Sequence, residues 1–310
     1  MTFGPPVERV AHRSVPLPRI VYEPLVHAAL LEDLGVAGDV TSEATIPAGA
    51  QARASLVSRA QGVLAGLDAA LLAFLLLDPG VAIETFVGDG ERVENGSRIA
   101  TIRGDARALL GAERTALNLL SHASGIASAT ARYVAALPLG SRCTIAETRK
   151  TLPGLRALEK YAVRAGGGAN HRLRLDDAIL IKDNHIAIAG GIAPALDGAR
   201  LRAGHLMKVE IEVDSLAQLE EVLAHPGGAD VILLDNFSVE HLVEAVRRID
   251  GRAIAEASGG VTLASIPAIA ATGVDVISIG ALTHSVIALD IGLDVESTLG
   301  GDRGAKPPRS

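Results

Sequence analysis

The chain has 310 residues and a formal net charge of −7, with 29 Lys and Arg against 36 Asp and Glu. Its four Phe and three Tyr, without any Trp, are too few for the stacking platforms of proteins that bind single-stranded nucleic acid. Composition therefore excludes binding of nucleic acid through overall positive charge or stacked aromatics. Any anionic ligand must be bound by a local cluster of cations.

The longest unbroken apolar run covers residues 69–77, much shorter than the roughly 20 residues that a membrane-spanning helix needs. Pro5 and Pro6 interrupt the region where a signal peptide would need a continuous apolar stretch. The single cysteine, Cys143, excludes an intrachain disulfide and a cysteine-based zinc site. We therefore expect a cytoplasmic protein with no membrane association.

The chain begins with a segment that has no periodic pattern. Residues 1–20 contain four prolines and are predicted to form an N-terminal arm. Apolar residues then recur with helical spacing over residues 22–34, and Gly35 is a plausible stop. We therefore expect an amphipathic helix directly after the arm.

Between residues 51 and 104, short β-like runs alternate with glycine-containing turn signals, and one such run spans residues 81–86. Asp105 is positioned to cap a long helix, rich in Ala and Leu, that extends to Leu137. These patterns predict an N-terminal α/β unit over residues 21–140. In this unit an antiparallel sheet packs against helices.

From residue 141 to residue 296 the pattern becomes a repeated unit of a short apolar strand followed by a helical segment. The final helix of this region is expected to pack back on the N-terminal unit, and a short disordered tail is predicted at 297–310. The alternation implies parallel strands joined by right-handed crossovers, in either a barrel or an open doubly wound sheet. The barrel is favoured because nearly every strand ends in polar or glycine residues, whereas an open sheet concentrates its ligand groups at one switch point. The six predicted strands lie at residues 144–147, 178–181, 207–213, 231–234, 253–257 and 276–279.

Cationic residues follow the first two of these strands. Arg149 and Lys150 come after the first strand, His171 and Arg172 lie in the glycine-rich loop that precedes the second, and Lys182 ends the second strand. Arginine binds carboxylate or phosphate with two parallel hydrogen bonds, while lysine and histidine add charge and orientation. The cluster therefore predicts a small polyanionic ligand at the barrel mouth.

Alternatives stay open for the individual cations. Each of them would also fit a surface ion pair with Glu147 or Glu159, although this explains the whole set poorly. Lys182 fits a Schiff-base lysine as well as a fixed cation for substrate carboxylates, and the neighbouring cations favour the second interpretation. We interpret His185, three residues later, as a structural residue.

Carboxylates follow the next two strands. Glu210 and Glu212 alternate with aliphatic residues in residues 208–213, so they are expected to face the barrel interior, unless this is a solvated edge strand. Asp235 ends the strand after that. Glu212 and Asp235 would suit sugar hydroxyls, Mg²⁺, or positive charge that develops on a sugar ring. The residues alone do not decide among these roles.

The last two strands are followed by small residues. Glycine allows backbone N–H groups to approach a phosphate closely, and the final strands of α/β barrels are where phosphate sites recur. We therefore expect a phosphosugar across the barrel mouth, with a small carboxylated partner near the early strands. The residues concerned are Ser258, Gly259, Gly260, Gly280 and Ala281.

With these segments identified, the chain resembles the quinolinate phosphoribosyltransferase family over roughly residues 24–296. Arg174 departs from the family pattern, which usually has glycine there. The segments that carry the resemblance are Glu-Arg-Thr-Ala-Leu-Asn at 113–118, Thr-Arg-Lys-Thr at 148–151 with Pro-Gly-Leu-Arg at 153–156, and residues 166–172, 180–185, 233–236 and 258–260.

The resemblance implies a reaction of quinolinate with phosphoribosyl pyrophosphate, using Mg²⁺, that gives nicotinate mononucleotide, pyrophosphate and carbon dioxide. This reaction is a step of NAD biosynthesis. The implied fold is an N-terminal α/β sandwich followed by an incomplete α/β barrel of six or seven parallel strands, in a homodimer with shared active sites.

The resemblance also implies roles for individual residues. Lys150, Glu212 and Asp235 are the implied catalytic residues. Glu212 and Asp235 flank the ribose and are candidate Mg²⁺ ligands, directly or through water. The implied quinolinate contacts are Arg149, His171, Arg172 and Lys182, with Arg114 from the partner subunit; the implied phosphoribosyl pyrophosphate contacts are Lys150, Glu212, Asp235, Ser258, Gly259, Gly260, Gly280 and Ala281.

Three other functions are weighed against this one. The first is the related protein of molybdenum-transport operons, and the Leu180–His185 segment argues against it. The second is a lyase that forms a Schiff base through Lys182. The third is a phosphosugar-binding regulator without turnover.

Overall fold

The computed structural model of the protein describes residues 15–296. The predicted tail at 297–310 and most of the predicted arm at 1–20 therefore lie outside the described residues. The first half of the described chain forms α1 (Arg19–Leu34), α2 (Val40–Thr45), β1 (Gln51–Ser58), β2 (Gly62–Val63), α3 (Leu67–Leu77), β3 (Ala82–Thr85), β4 (Arg92–Val93), β5 (Arg98–Asp105) and α4 (Ala106–Ala135).

The second half alternates strands and helices. Its elements are β6 (Thr144–Ala146), α5 (Arg156–Ala165), β7 (Ile179–Ile181), α6 (Asp183–Ala189), α7 (Ile192–Arg202), β8 (Val209–Val213), α8 (Leu216–Ala224), β9 (Val231–Asp235), α9 (Val239–Ile249), β10 (Ile254–Ser258), a 3₁₀ turn (Leu263–Ser265), α10 (Ile266–Ala271), β11 (Val276–Ser278), α11 (Ala281–His284) and β12 (Ile291–Glu296).

The N-terminal unit is built on a four-stranded antiparallel sheet with the order β12-β1-β5-β3. One face of this sheet, with Ala54, Leu56 and Ile102, packs into a hydrophobic core shared with α1, α3 and α4. Asp105 caps α4 as predicted, because its carboxylate accepts a hydrogen bond from the N–H of Ala108 at 3.0 Å. The predicted antiparallel sheet with packed helices is confirmed.

The end of the described chain returns to this N-terminal sheet. Residues 141–296 were predicted to form the barrel, with a final helix packing back on the N-terminal unit. The structure has a strand there instead, since β12 pairs antiparallel with β1, from Ser58 opposite Ile291 to Arg53 opposite Glu296. The alternating pattern that ends at Glu296 forms a strand whose partner, β1, lies more than 230 residues earlier, beyond the reach of local pattern analysis.

The six predicted strands of the second half form one parallel sheet with the order β6-β11-β10-β9-β8-β7. The first strand, β6, pairs with the last, β11, which is the cyclic order of a barrel and not the order of a doubly wound sheet. No pairing joins β6 to β7 within residues 15–296. An isolated parallel bridge links Ala146 to Ala169, so the loop after α5 partly takes the place of a seventh strand. The predicted incomplete α/β barrel is confirmed.

A second hydrophobic core fills the space between this sheet and its helices, with Ile211, Ile232 and Ile277 fully or almost fully buried. All six strands are parallel, so their carboxyl ends lie at one rim, which we call the barrel rim. Among residues 15–296, no helix combines the length and the apolar character needed to cross a membrane.

Candidate active site

Arg149 and Arg172 form the most distinctive charge arrangement at the barrel rim. Arg149 follows β6, and Arg172 lies in the loop after α5 with its Nη1 donating to the carbonyl of Ala178 at 3.0 Å. Burial and the neighbouring charge of Arg149 lower the pKa of the Arg172 guanidinium. The Nε atoms of both arginines are buried and have no hydrogen-bond partner among residues 15–296. Two adjacent guanidinium groups with unpaired donors match a ligand that carries carboxylates.

Glu147 and Glu159 were the alternative partners for these cations. Glu147 is fully buried and forms an ion pair with Lys160. Glu159 is also fully buried, and its Oε1 lies 2.8 Å from His122 Nε2 while its Oε2 accepts the N–H of Leu152 at 3.2 Å. Neither glutamate forms an ion pair with the predicted binding cations, so the interpretation of those cations as surface partners of Glu147 or Glu159 is wrong.

Lys150 is held through its backbone. Its N–H donates to Thr148 Oγ1 at 3.1 Å, and its carbonyl accepts a hydrogen bond from Thr283 Oγ1 at 2.8 Å. Its side chain passes close to Gly280, where a Cβ would lie 2.9 Å from Lys150 Cδ. The last barrel strand therefore positions the lysine of the first. Thr283 carried no signal in the sequence, because its partner is 133 residues away.

Lys182 directly follows β7 and forms an ion pair with Glu212 of the adjacent strand β8. The N–H of Lys182 donates to His185 Nδ1 at 2.9 Å, which agrees with a structural role for His185. A Schiff-base lysine needs a neutral amine, usually in apolar surroundings, whereas Lys182 is 44% exposed and paired with a carboxylate. The arrangement favours an ionic role for Lys182 over the lyase interpretation.

His171 lies below the rim, against two glutamates. Its Nε2 is 3.2 Å from Glu210 and 3.5 Å from Glu256, and its Nδ1 accepts the N–H of Arg172 at 2.8 Å. Nε2 therefore carries the proton and donates to the glutamates. The structure does not direct this ring toward the two arginines. Glu256 was not predicted to belong to the site. It lies two residues before Ser258, so the two side chains face the same side of β10.

Glu256 is almost completely buried. Burial and the neighbouring Glu210 carboxylate raise the pKa of Glu256 to about 7. The ligand atoms of His171, Glu210 and Glu256 lie within 4.8 Å of one another, close enough to hold a metal ion. A proton shared by the two glutamates, with the hydrogen bond from His171, also explains the cluster.

Two carboxylates at the rim provide oxygen ligands of the kind that Mg²⁺ prefers. Glu212 on β8 is opposite Leu233 on β9, so Asp235 lies on the same face, two residues further along the neighbouring strand. The Asp235 carboxylate accepts a hydrogen bond from Asn236 Nδ2 at 2.7 Å. The chemistry of these two residues fits the ion that the sequence analysis expected.

The loop after β10 requires glycine. Gly259 has φ +91° and Gly260 has φ +57°, a region that side chains disfavour. A Cβ at Gly259 would collide with the side chain of Asn236, whose own backbone is left-handed at φ +57°. Nothing lies within 4 Å of the position of a Cβ at Gly260. Ser258, Gly259 and Gly260 thus form a tight turn with an open side, beside Asp235.

Arg114 and Arg174 both have exposed side chains. Arg114 lies on α4 with its side chain 64% exposed, and its ion-pair contact within residues 15–296 is Glu113 of the same helix, at 4.0 Å. It does not join the cations of its own barrel. Arg174 is exposed, and its N–H donates to Asp177 at 2.9 Å, so its loop is closed through the backbone.

Comparison with known proteins gives consistent matches. The family model for the quinolinate phosphoribosyl transferase N-terminal domain matches residues 39–124, and that for the C-terminal domain matches residues 126–294. The nicotinate-nucleotide pyrophosphorylase (carboxylating) of Mycobacterium leprae is 49% identical over 278 residues, which cover 87% of this chain and 95% of that protein. The probable enzyme of the same name from Bacillus subtilis is 45% identical, with coverage of 87% and 92%. The crystal structure of NadC from Streptococcus pyogenes superposes with a TM-score of 0.87 at 42% identity, covering 91% of this chain and 99% of that one.

Proposed function

The chain belongs to the quinolinate phosphoribosyltransferase family, and we propose that its barrel rim transfers the phosphoribosyl group of phosphoribosyl pyrophosphate to quinolinate. The products are nicotinate mononucleotide, pyrophosphate and carbon dioxide. The observation that carries the proposal is the pair of adjacent arginines at the barrel rim, Arg149 and Arg172, whose buried Nε atoms have no hydrogen-bond partner within residues 15–296. A pyridine with two adjacent carboxylates suits this pair.

The acceptor site consists of Arg149, Arg172 and Lys182. The arginines bind the two carboxylates of quinolinate, and Lys182 exchanges its ion pair with Glu212 for one with the acceptor. His171 contacts the acceptor only if its ring gives up the hydrogen bond to Glu210. If this hydrogen bond is kept, His171 positions Arg172, because its Nδ1 accepts the backbone N–H of Arg172.

The donor site lies at the later strands. Ser258, Gly259, Gly260, Gly280 and Ala281 hold the 5′-phosphate with backbone N–H groups, supported by the open turn after β10. Lys150 lies between donor and acceptor, since its side chain passes over Gly280. Glu212 and Asp235 flank the ribose. Mg²⁺, when bound by these two carboxylates directly or through water, offsets the charge of the pyrophosphate.

The chemistry follows from these positions. The pyridine nitrogen attacks the anomeric carbon as pyrophosphate leaves, so positive charge develops on the ribose and negative charge on the leaving group. Glu212 and Asp235 stabilise the first charge, and Lys150 stabilises the second. The resulting pyridinium stabilises the electron pair left on the ring carbon when the adjacent carboxylate departs as carbon dioxide, and a proton from solvent then bonds to this carbon to give nicotinate mononucleotide. No covalent intermediate with the protein is formed.

Three further features are part of the proposal. The protein acts as a homodimer in which Arg114 reaches the partner's acceptor site, supported by its exposure on α4 and its distance from the cations of its own barrel. The reaction takes place in the cytoplasm, which fits the presence of a single cysteine, Cys143, in the sequence. Nucleic acid is not a partner, because the net charge is −7.

The test is a product assay with purified protein, Mg²⁺ and phosphoribosyl pyrophosphate, with quinolinate or nicotinate as acceptor. We expect nicotinate mononucleotide and carbon dioxide from quinolinate, and turnover of nicotinate lower by at least a hundredfold. An acceptor with one carboxylate leaves a partly buried cation without its partner. Equal turnover of the two acceptors would contradict the assignment.

Two other outcomes would support the alternative functions. Loss of activity after borohydride treatment with an acceptor would support a lyase that forms a Schiff base through Lys182. Binding of phosphoribosyl pyrophosphate without product would support a phosphosugar-binding regulator.

A further inference from the structure

A buried ion pair lies directly behind the two acceptor arginines. Lys160, on α5, is 2% exposed, and Glu147, at the end of β6, is completely buried. Their side chains are bonded to each other. Neither residue is an acceptor or donor contact in the function proposed above, and a buried ion pair is weak evidence of a gain in stability, because both charges lose their hydration.

The pair connects the two segments that carry the arginines. Lys160 Nζ also donates to the carbonyl of His171 at 2.9 Å. Glu147 Oε1 accepts the N–H of His171 at 3.1 Å, and Glu147 Oε2 accepts Asn170 Nδ2 at 3.0 Å. Asn170 Nδ2 donates in addition to the carbonyl of Lys160 at 2.8 Å. Both backbone polar groups of His171 are therefore bonded to the ion pair.

The positions along the chain show what this arrangement fixes. Glu147 lies two residues before Arg149, and His171 lies directly before Arg172. The ion pair thus sets the distance between two backbone segments, one of which carries Arg149 and the other Arg172. The guanidinium groups of these two residues have the same charge. These groups repel each other when no anion lies between them, and the short range of the hydrogen bonds gives the segments little freedom to move apart.

We propose that Lys160 and Glu147 are positioning residues for the acceptor site, which hold Arg149 and Arg172 at the spacing that two adjacent carboxylates require. This inference rests on the proposed function, because it takes the acceptor to be a dicarboxylate. It predicts that loss of the ion pair weakens acceptor binding and leaves donor binding nearly unchanged, since the donor residues lie on the later strands.

The first variant is Lys160→Met, which removes the charge and retains most of the volume. We expect its KM for quinolinate to rise at least tenfold and its KM for phosphoribosyl pyrophosphate to change by less than twofold. Hydrogen–deuterium exchange at the amide of His171 should accelerate, because the loop loses the bond from Lys160 to the His171 carbonyl.

A second variant covers the case in which Lys160→Met leaves Glu147 unpaired and prevents folding. Glu147→Gln combined with Lys160→Met removes both charges, a replacement that is often tolerated or stabilising. We expect this double variant to melt near the wild-type temperature while its KM for quinolinate stays at least fivefold above that of the wild type.

The matched control is Ile249→Ala. Ile249 is 2% exposed at the end of α9, on the side of the barrel opposite the rim. This variant should melt at a lower temperature and keep both KM values.

A rise in the KM for quinolinate in the ion-pair variants alone supports the proposal that the ion pair positions the two arginines. Unchanged KM values in the double variant, with lower melting temperatures only, would show that the ion pair is merely structural. Failure of the wild type to convert quinolinate would instead overturn the proposed function.

Discussion

The cationic residues near the barrel rim are distinguished mainly by the groups that surround them, and less by whether they are lysine or arginine. Lys160 is buried against Glu147, whereas Arg149 and Arg172 lie beside each other and form no ion pair with a carboxylate within residues 15–296. Sequence motifs supply the residue types, so Arg149 and Arg172 are predicted to be binding residues from their loops alone. Lys160 escaped notice, because a lysine on a helix is usually solvated. Partner identity depends on contacts between distant segments, which only the fold determines.

The buried carboxyl group of Glu256 predicts a pH dependence of stability. Burial and Glu210 raise its pKa to about 7, and His171 and Lys182 also face it. The folded protein keeps a proton here that the unfolded chain releases near the ordinary glutamate pKa of about 4.3. The contribution of Glu256 to stability is therefore fully present below this ordinary pKa and is lost as the pH rises through 7.

This effect is measured by comparing the wild type with Glu256→Gln, whose side chain is neutral at every pH. Between pH 4.5 and pH 8, the free energy of unfolding of the wild type should fall by on the order of 3 kcal/mol more than that of the variant, in urea titrations. Glu84→Gln, at an exposed position of β3, should follow the wild-type curve. Parallel curves for the wild type and Glu256→Gln would show that Glu256 is ionised in the folded protein throughout this range.

At the scale of elements, the strand ends assemble the site. Gly280 has an ordinary φ of −65°, so glycine is required there for space and not for backbone freedom. A Cβ would lie 2.9 Å from Lys150 Cδ and 3.2 Å from His284 Nε2. The nearest obstacle is a flexible side chain, so Gly280→Ala should fold normally and displace Lys150.

We expect Gly280→Ala to lower kcat about tenfold or more, because Lys150 stabilises charge that develops as the bond to pyrophosphate breaks. The KM for quinolinate should change by less than threefold, and the melting temperature by a few degrees at most. Gly198→Ala on α7, where nothing lies within 4 Å of the added Cβ, is the matched control and should keep wild-type kinetics. An unchanged kcat in Gly280→Ala would show that Lys150 does not act at this position.

The sequence predicts the elements well where their patterns are local. The six barrel strands lie within two residues of the predicted bounds, and Asp105 caps α4 as expected. Two features could not be predicted from the sequence, and the physical reason is the same for both. The partner of β12 lies in β1, and the ring of His171 bonds to Glu210 and Glu256 on other strands. Such pairings depend on how distant segments pack, and periodicity carries no information about them.

At the scale of the whole molecule, the N-terminal unit and the barrel are joined twice. Helix α4 runs from the antiparallel sheet to the barrel, and β12 leads from the barrel back to β1. Most of the surface of α4 is buried, but Arg114 and Asn118, one turn apart, are both exposed. An exposed arginine on a helix that lies mostly in the core is well placed to contact a second copy of the chain.

The last prediction concerns Arg114 in this role. In Arg114→Ala and Lys182→Ala homodimers, every site lacks one contact with the acceptor, so each homodimer should be nearly inactive. If Arg114 acts on the partner's barrel, a hybrid of the two variants has one site with both defects and one site with neither. Random reassortment of equal amounts makes about half of the dimers hybrids, so about a quarter of the wild-type activity should return on mixing. If Arg114 serves its own barrel, every site keeps a defect. Activity that stays at the level of the single variants, while native mass spectrometry detects the hybrids, would show that the acceptor site is not shared through Arg114.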